Sequence, residues 1–99
     1  MVVIRNVFRL KFGNAKEGVA LFKEGMAIQK RLGSKFGSRL LTDLTGPFYT
    51  VVFELTVPSL SAFETESPRL MADKDWQANY QKITPLVESG YREIFTLVE

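Results

Sequence analysis

Apolar and polar residues alternate most regularly between Phe48 and Val57. Tyr49, Val51, Phe53, Leu55 and Val57 form one wholly apolar face, and Phe48, Thr50, Val52, Glu54 and Thr56 form a mixed one. A period of two, rich in β-branched and aromatic side chains, predicts a central strand with one face covered by helices. Val2–Phe12 alternates in the same way, with Val2, Ile4, Asn6, Phe8, Leu10 and Phe12 on one side. Val3, Arg5, Val7, Arg9 and Lys11 take the other. Arg39–Thr45 reads as another strand, turned back into the central one by Thr45-Gly46-Pro47. That hairpin pairs Leu44 with Tyr49, Thr42 with Val51 and Leu40 with Phe53, and sets Arg39 opposite Glu54 on the mixed face. Tyr91–Val98 is a last strand, half apolar on both sides, whose pattern leaves its facing open.

Between the strands the period changes. Asn14 and Glu17 have the spacing of an N-cap and its capping-box partner, and open a helix that runs to about Leu32. Gly33 suits the residue after the helix, and Lys30 and Arg31 suit its negative end. Val19, Leu21, Phe22, Met26, Ile28 and Leu32 make a broad apolar stripe, with Gly18 and Gly25 set for close approach to the sheet. After Pro58, Ser59 or Ser61 can cap a short helix through Glu66. Ser67-Pro68 then starts a second helix carrying Leu70, Met71, Trp76, Tyr80, Ile83 and Val87, shortened near Pro85 and stopped by Ser89-Gly90. The order is βαββαβ. With right-handed crossovers it predicts an α+β, ferredoxin-like sandwich: a four-stranded antiparallel sheet with its helices on one face.

Composition narrows the chemistry more than the fold. Ninety-nine residues make one domain, 1–99. The absence of cysteine excludes disulfides and thiol catalysis, and the absence of histidine removes the commonest general base and metal ligand. No metal site and no cofactor are expected. Met1-Val-Val-Ile4 is interrupted by Arg5 and Asn6, too short for a leader or a membrane span, so a cytoplasmic protein without membrane attachment is expected. Residues 1–50 carry nine Lys/Arg against three Asp/Glu, and residues 51–99 carry four against eight. Solvated charge accounts for most such asymmetry, although it also suits complementary protomers.

No catalytic spacing stands out. Asp73 with Asp75, and Glu64 with Glu66, are i,i+2 pairs that point apart on a helix and are expected in solvent. Gly33-Ser-Lys-Phe-Gly-Ser38 lacks the Gly-Lys-Ser/Thr ending of a phosphate loop. The outer sheet face is more informative. Arg5, Arg9, Arg39 and Glu54 share it with Val3, Val7, Leu41 and Val52, which describes either an arginine-lined cavity or the core of a dimer interface. An RNA-recognition module shares this topology, but Val3 stands where a stacking aromatic is needed and Pro47 breaks the second motif. Nucleic acid is therefore not expected as a partner.

The βαββαβ order, the half-apolar outer face and the helix bearing Trp76 and Tyr80 resemble the dimeric α+β-barrel superfamily, which includes antibiotic-biosynthesis monooxygenase-like and NIPSNAP-like domains. The resemblance implies a homodimer joined through sheet faces, with Arg5, Val7, Arg9, Arg39, Leu41, Val52 and Glu54 at the interface. It also implies a cleft between sheet and helices for a small apolar or aromatic molecule. Asn6, Trp76 and Tyr80 match in type what cofactor-independent monooxygenases of that group place around an aromatic substrate, and Ile83 continues the same helix side. The group's histidines, including the axial ligand of its haem-binding branches, have no counterpart, so haem is not expected. Three readings follow: a metabolite-binding dimer, a cofactor-independent monooxygenase-like enzyme, or a structural or regulatory dimer without ligand.

Val3, Val7, Leu41, Phe48 and Val52 together would make an apolar patch too large for a lone domain to leave in water. Light scattering at micromolar concentration is expected to read a two-chain species; a single chain of 11.2 kDa would remove the dimer.

Overall fold

The computed structural model describes residues 1–99. Strand β1 (Val2–Leu10) leads into helix α1 (Ala15–Arg31), then the hairpin of β2 (Gly37–Thr42) and β3 (Thr50–Val57). Helices α2 (Leu60–Met71) and α3 (Lys74–Ile83) follow, and a 3-10 turn at Thr84–Leu86 delivers the chain to β4 (Val87–Thr96). The strands lie in the order β2-β3-β1-β4, all antiparallel. This is the ferredoxin-like α+β sandwich, with both crossovers carrying helices to the same side. No helix is long and apolar enough to cross a membrane.

The apolar alternation explains the register. Leu40 pairs with Phe53, Thr42 with Val51, and Arg39 with Glu54, as the hairpin pattern predicts. The hairpin is shorter than expected, however, and Leu44 and Tyr49 do not pair. Tyr49 adopts a left-handed backbone (φ 61°) that ends the ladder. The Asp43 carboxylate takes over the closing rung by accepting from the Thr50 amide at 2.8 Å. Phe48 consequently sits in the 43–49 loop and not on the outer face of β3.

Helix ends show where local chemistry departs from pattern. Asn14 occupies the N-cap of α1, but its ψ of 7° aims the carboxamide away from the first amides, and no side-chain cap forms. Ser59 caps α2, its Oγ accepting from the Ala62 amide at 3.1 Å. Helix α2 then runs straight through Pro68, and the break falls at Ala72–Asp73 instead of Ser67. Ser89-Gly90 does not end a helix; both residues lie inside β4, which begins earlier than its apolar pattern suggests.

The helix-facing core is split. Leu10, Phe22, Val51 and Ile83 form one buried cluster, and Ile4, Leu55 and Val57 form another. Close approach of α1 supports the first. A Cβ at Gly18 would meet a Leu10 methyl at 2.5 Å, so only glycine lets the helix descend there. Gly25 serves a helix contact, because a Cβ would lie 3.1 Å from Asn79 Oδ1 on α3.

The outer face has no helix. Arg39, Glu54, Arg5 and Glu93 stand side by side across all four strands, and β4 adds Tyr91 and Phe95, the facing that its sequence left open. Both aromatics are exposed, yet they lie on an edge strand, and the central positions hold Val3, Val7 and Val52. Glu54 is only 8% exposed. It accepts from Arg39 Nε at 3.1 Å and from Arg39 Nη2. Arg5 Nε lies 3.4 Å from the other carboxylate oxygen, an ionic contact without hydrogen-bond geometry. Val7 is buried, whereas Leu41 and Arg9 are exposed and Arg9 has no carboxylate partner.

A fully buried pair would make loss of Glu54 cost about 3–5 kcal/mol. Here the Arg39 side chain is 70% exposed and can return to water. Glu54→Ala is therefore expected to cost on the order of 2–3 kcal/mol in urea unfolding, and Arg39→Ala about 0–1 kcal/mol. Equal losses in both variants would show that the carboxylate is not the centre of the cluster.

Candidate functional site

The gap between the two core clusters is a cleft of about 1060 Å³. Ligand pockets commonly span about 300–1,000 Å³. Its floor is the helix side of the sheet: Asn6 and Phe8 on β1, Phe53 and Leu55 on β3, Gly90 and Arg92 on β4. Its walls are α1 through Phe22, Gly25, Met26 and Gln29, α2 through Phe63 and Leu70, and α3 through Trp76, Asn79, Tyr80 and Ile83.

The floor is shaped by one missing side chain. Gly90 pairs with Phe8, and a Cβ there would lie 2.8 Å from the Phe8 ring. The ring lies over the glycine and meets Phe22 at 5.3 Å between centroids. One register step along, Asn6 pairs with Arg92, whose Nε donates to Asn6 Oδ1 at 2.7 Å. The guanidinium carbon stands 5.4 Å from the Phe63 ring centre, within cation–π range. This polar pair lies on the cleft floor between β1 and the edge strand β4.

Helix α3 is held against α1 by a buried amide. Asn79, 2% exposed, donates through Nδ2 to the Leu21 carbonyl at 2.9 Å. Trp76 is placed one turn earlier by Asp73, whose carboxylate caps the helix by accepting from the Trp76 amide at 2.9 Å. Arg31 at the end of α1 reaches both Asp73 (3.4 Å) and Asp75 (3.0 Å). The two acids therefore converge on one arginine instead of pointing apart, because Asp73 precedes the helix and does not obey its angular spacing. Arg69 of α2 donates to the Leu32 carbonyl at 3.0 Å, tying that helix to the end of α1. Gln29 is buried in the wall and its Oε1 has no partner.

All four residues expected to hold a ligand line this cleft, in different roles. Trp76 and Asn6 are half-buried on its surface, Tyr80 is 60% exposed at its rim, and Ile83 belongs to the core cluster behind it. The residues expected at an interface lie on the opposite side of the sheet, so the two sets share no surface. Arg92, Phe63, Asn79 and Gln29 escaped the sequence reading. Only Arg92 left a usable signal: once β4 is registered on β1, its parity with Asn6 places it in the cleft.

The NIPSNAP family profile matches residues 4–99. Among solved structures, an uncharacterized NIPSNAP domain protein from Burkholderia xenovorans superposes with a TM-score of 0.87 at 24% identity, covering 99% of this chain and 95% of its own. A NIPSNAP family protein of unknown function from Agrobacterium tumefaciens has a TM-score of 0.84 at 27% identity, with coverages of 96% and 86%. SnoaB, a cofactor-independent oxygenase from Streptomyces nogalater, shares the fold with a TM-score of 0.74 at 19% identity, with coverages of 99% and 93%. No curated protein sequence gives a match.

Removing the Asp73 side chain should loosen the start of α3 and the wall that bears Trp76. Asp73→Ala is expected to cost about 1 kcal/mol in urea unfolding, the usual worth of an N-cap. Asp75→Ala, whose carboxylate is exposed, should stay within about 0.5 kcal/mol. The reverse order would mean that the Arg31 contact, and not the cap, secures the helix.

Proposed function

This chain belongs to the NIPSNAP family, and on that footing we propose that it is a cytoplasmic homodimer that binds a small apolar or aromatic molecule in each protomer's cleft. The observation that carries the reading is the cleft itself. A chain of this size should close its core, yet this one keeps its two apolar clusters apart around an aromatic-walled space. Phe8, Phe53 and Trp76 offer flat apolar surface to a planar guest, and Tyr80 offers a polar tip at the rim.

The dimer is supported by the opposite face. Leu41, Tyr91 and Phe95 are exposed there beside half-buried Val3 and Val52, a mixture of aromatic, aliphatic and arginine side chains typical of interface cores. Joining through that face leaves both clefts on the outside of the pair. A second reading, oxygenase activity without a cofactor, is favoured by the fold shared with SnoaB and by Asn6 and Trp76 in the same cleft. The two readings share the guest and differ in turnover.

Trp76 is the chain's one tryptophan, so its emission reports on the cleft without interference. Titration with a panel of phenols, quinones and fatty acids is expected to shift that emission saturably. Measured by isothermal calorimetry, since both variants lack the emitting residue, Trp76→Phe should weaken binding less than Trp76→Ala. Repeating the best binder under oxygen separates the readings, since product formation supports the oxygenase and unchanged guest supports the binding protein. A panel that leaves the emission unmoved, together with a crystal structure showing the cleft closed, would leave only the dimer without ligand.

A further inference from the structure

On the binding role proposed above, we infer that the guest is an organic acid, its carboxylate seated on Arg92 and its apolar body lying between the aromatic walls. The cleft is lined by three charged residues: Glu66, Arg69 and Arg92. Arg69 already donates to the Leu32 carbonyl. Arg92 forms no ion pair within the chain, whereas Arg5, Arg31 and Arg39 each face a carboxylate. Its Nε is occupied by Asn6 Oδ1 and its face by the Phe63 ring, and its two Nη groups make no hydrogen bond.

That arrangement is preorganised and unfinished. A guanidinium clamped from behind by an amide oxygen and from one face by an aromatic ring has lost much of its rotamer freedom before any guest arrives. What it still presents is the planar pair of donors that fits a carboxylate. Both polar members lie on the helix side of the sheet, at positions where aliphatic residues would let the two apolar clusters join. Arg92 is exposed at the cleft, so an acid reaches the fork directly and gains a charge-assisted pair, while a neutral guest of the same shape gains only its apolar share.

The test uses matched pairs that differ only in the head group: 2-naphthoate against 2-naphthalenemethanol, and decanoate against decanol, each titrated by isothermal calorimetry at pH 7.5. The aromatic and aliphatic pairs also show which kind of body the walls prefer. The wild-type protein is expected to bind the acid at least about tenfold tighter than its alcohol, a margin typical of a charge-assisted hydrogen bond, and the margin should shrink as salt is added. Arg92→Gln should bring the ratio near one by weakening the acid alone. Asn6→Ala, which frees the guanidinium, should remove part of the margin. Equal binding of acid and alcohol by the wild-type protein overturns the acid and leaves the cleft intact. Binding of neither overturns both. Should Arg92→Gln fail to fold, the wild-type ratio and its salt dependence decide alone.

Discussion

Asn6 and Arg92 pair on the sheet's covered side, where β1 meets the edge strand β4, and covering the exposed guanidinium would strip a charged group of its water. Desolvating an unpaired charge costs several kcal/mol. Phe22 of α1 and Ile83 of α3 pack on Leu10 and Val51 at one end, Ile4, Leu55 and Val57 cluster at the other, and the cleft lies along the covered face. The cleft thus sets an oriented cation beside its aromatic walls.

Much of this was legible in the linear pattern, for a simple reason. Strand period and turn chemistry act locally, so β1, the β2–β3 register and the Arg39–Glu54 pair could be read residue by residue. The misreadings occur where distant groups intervene. Ser67-Pro68 looks like a helix start, but α2 continues because Arg69 is engaged with the end of α1 and the chain has a better cap at Asp73. The facing of β4 could not be read, since both its sides are half apolar and only pairing with β1 decides between them. With that facing unknown, Arg92 could not be placed beside Asn6, and the most telling charge of the cleft stayed hidden. Asn14 shows the converse: its spacing to Glu17 was right, but the backbone angle that a cap requires is set by the turn at Gly13 and does not follow from spacing.

The outer face makes a different use of charge. Alternating Arg39, Glu54, Arg5 and Glu93 across four strands neutralises the row internally and leaves apolar side chains between its members. A surface so arranged tolerates water and also tolerates burial, which suits contact with a second copy more than with a strongly charged polymer. The two faces of the sheet thus differ: a row of paired charges crosses one, and Arg92 stands without a carboxylate on the other.

Helix α2 buries none of its own residues, although Phe63, Glu66 and Leu70 form part of the cleft wall. The buried scaffold consequently stands on α1, α3 and the sheet, while part of the cleft wall hangs on an element held only by half-buried residues such as Phe63 and by the Arg69 contact. Evolution can rewrite such a wall one residue at a time without first acquiring a compensating stabiliser elsewhere. Substitutions on that helix can therefore reshape one wall of the cleft while the sheet, α1 and α3 keep their packing.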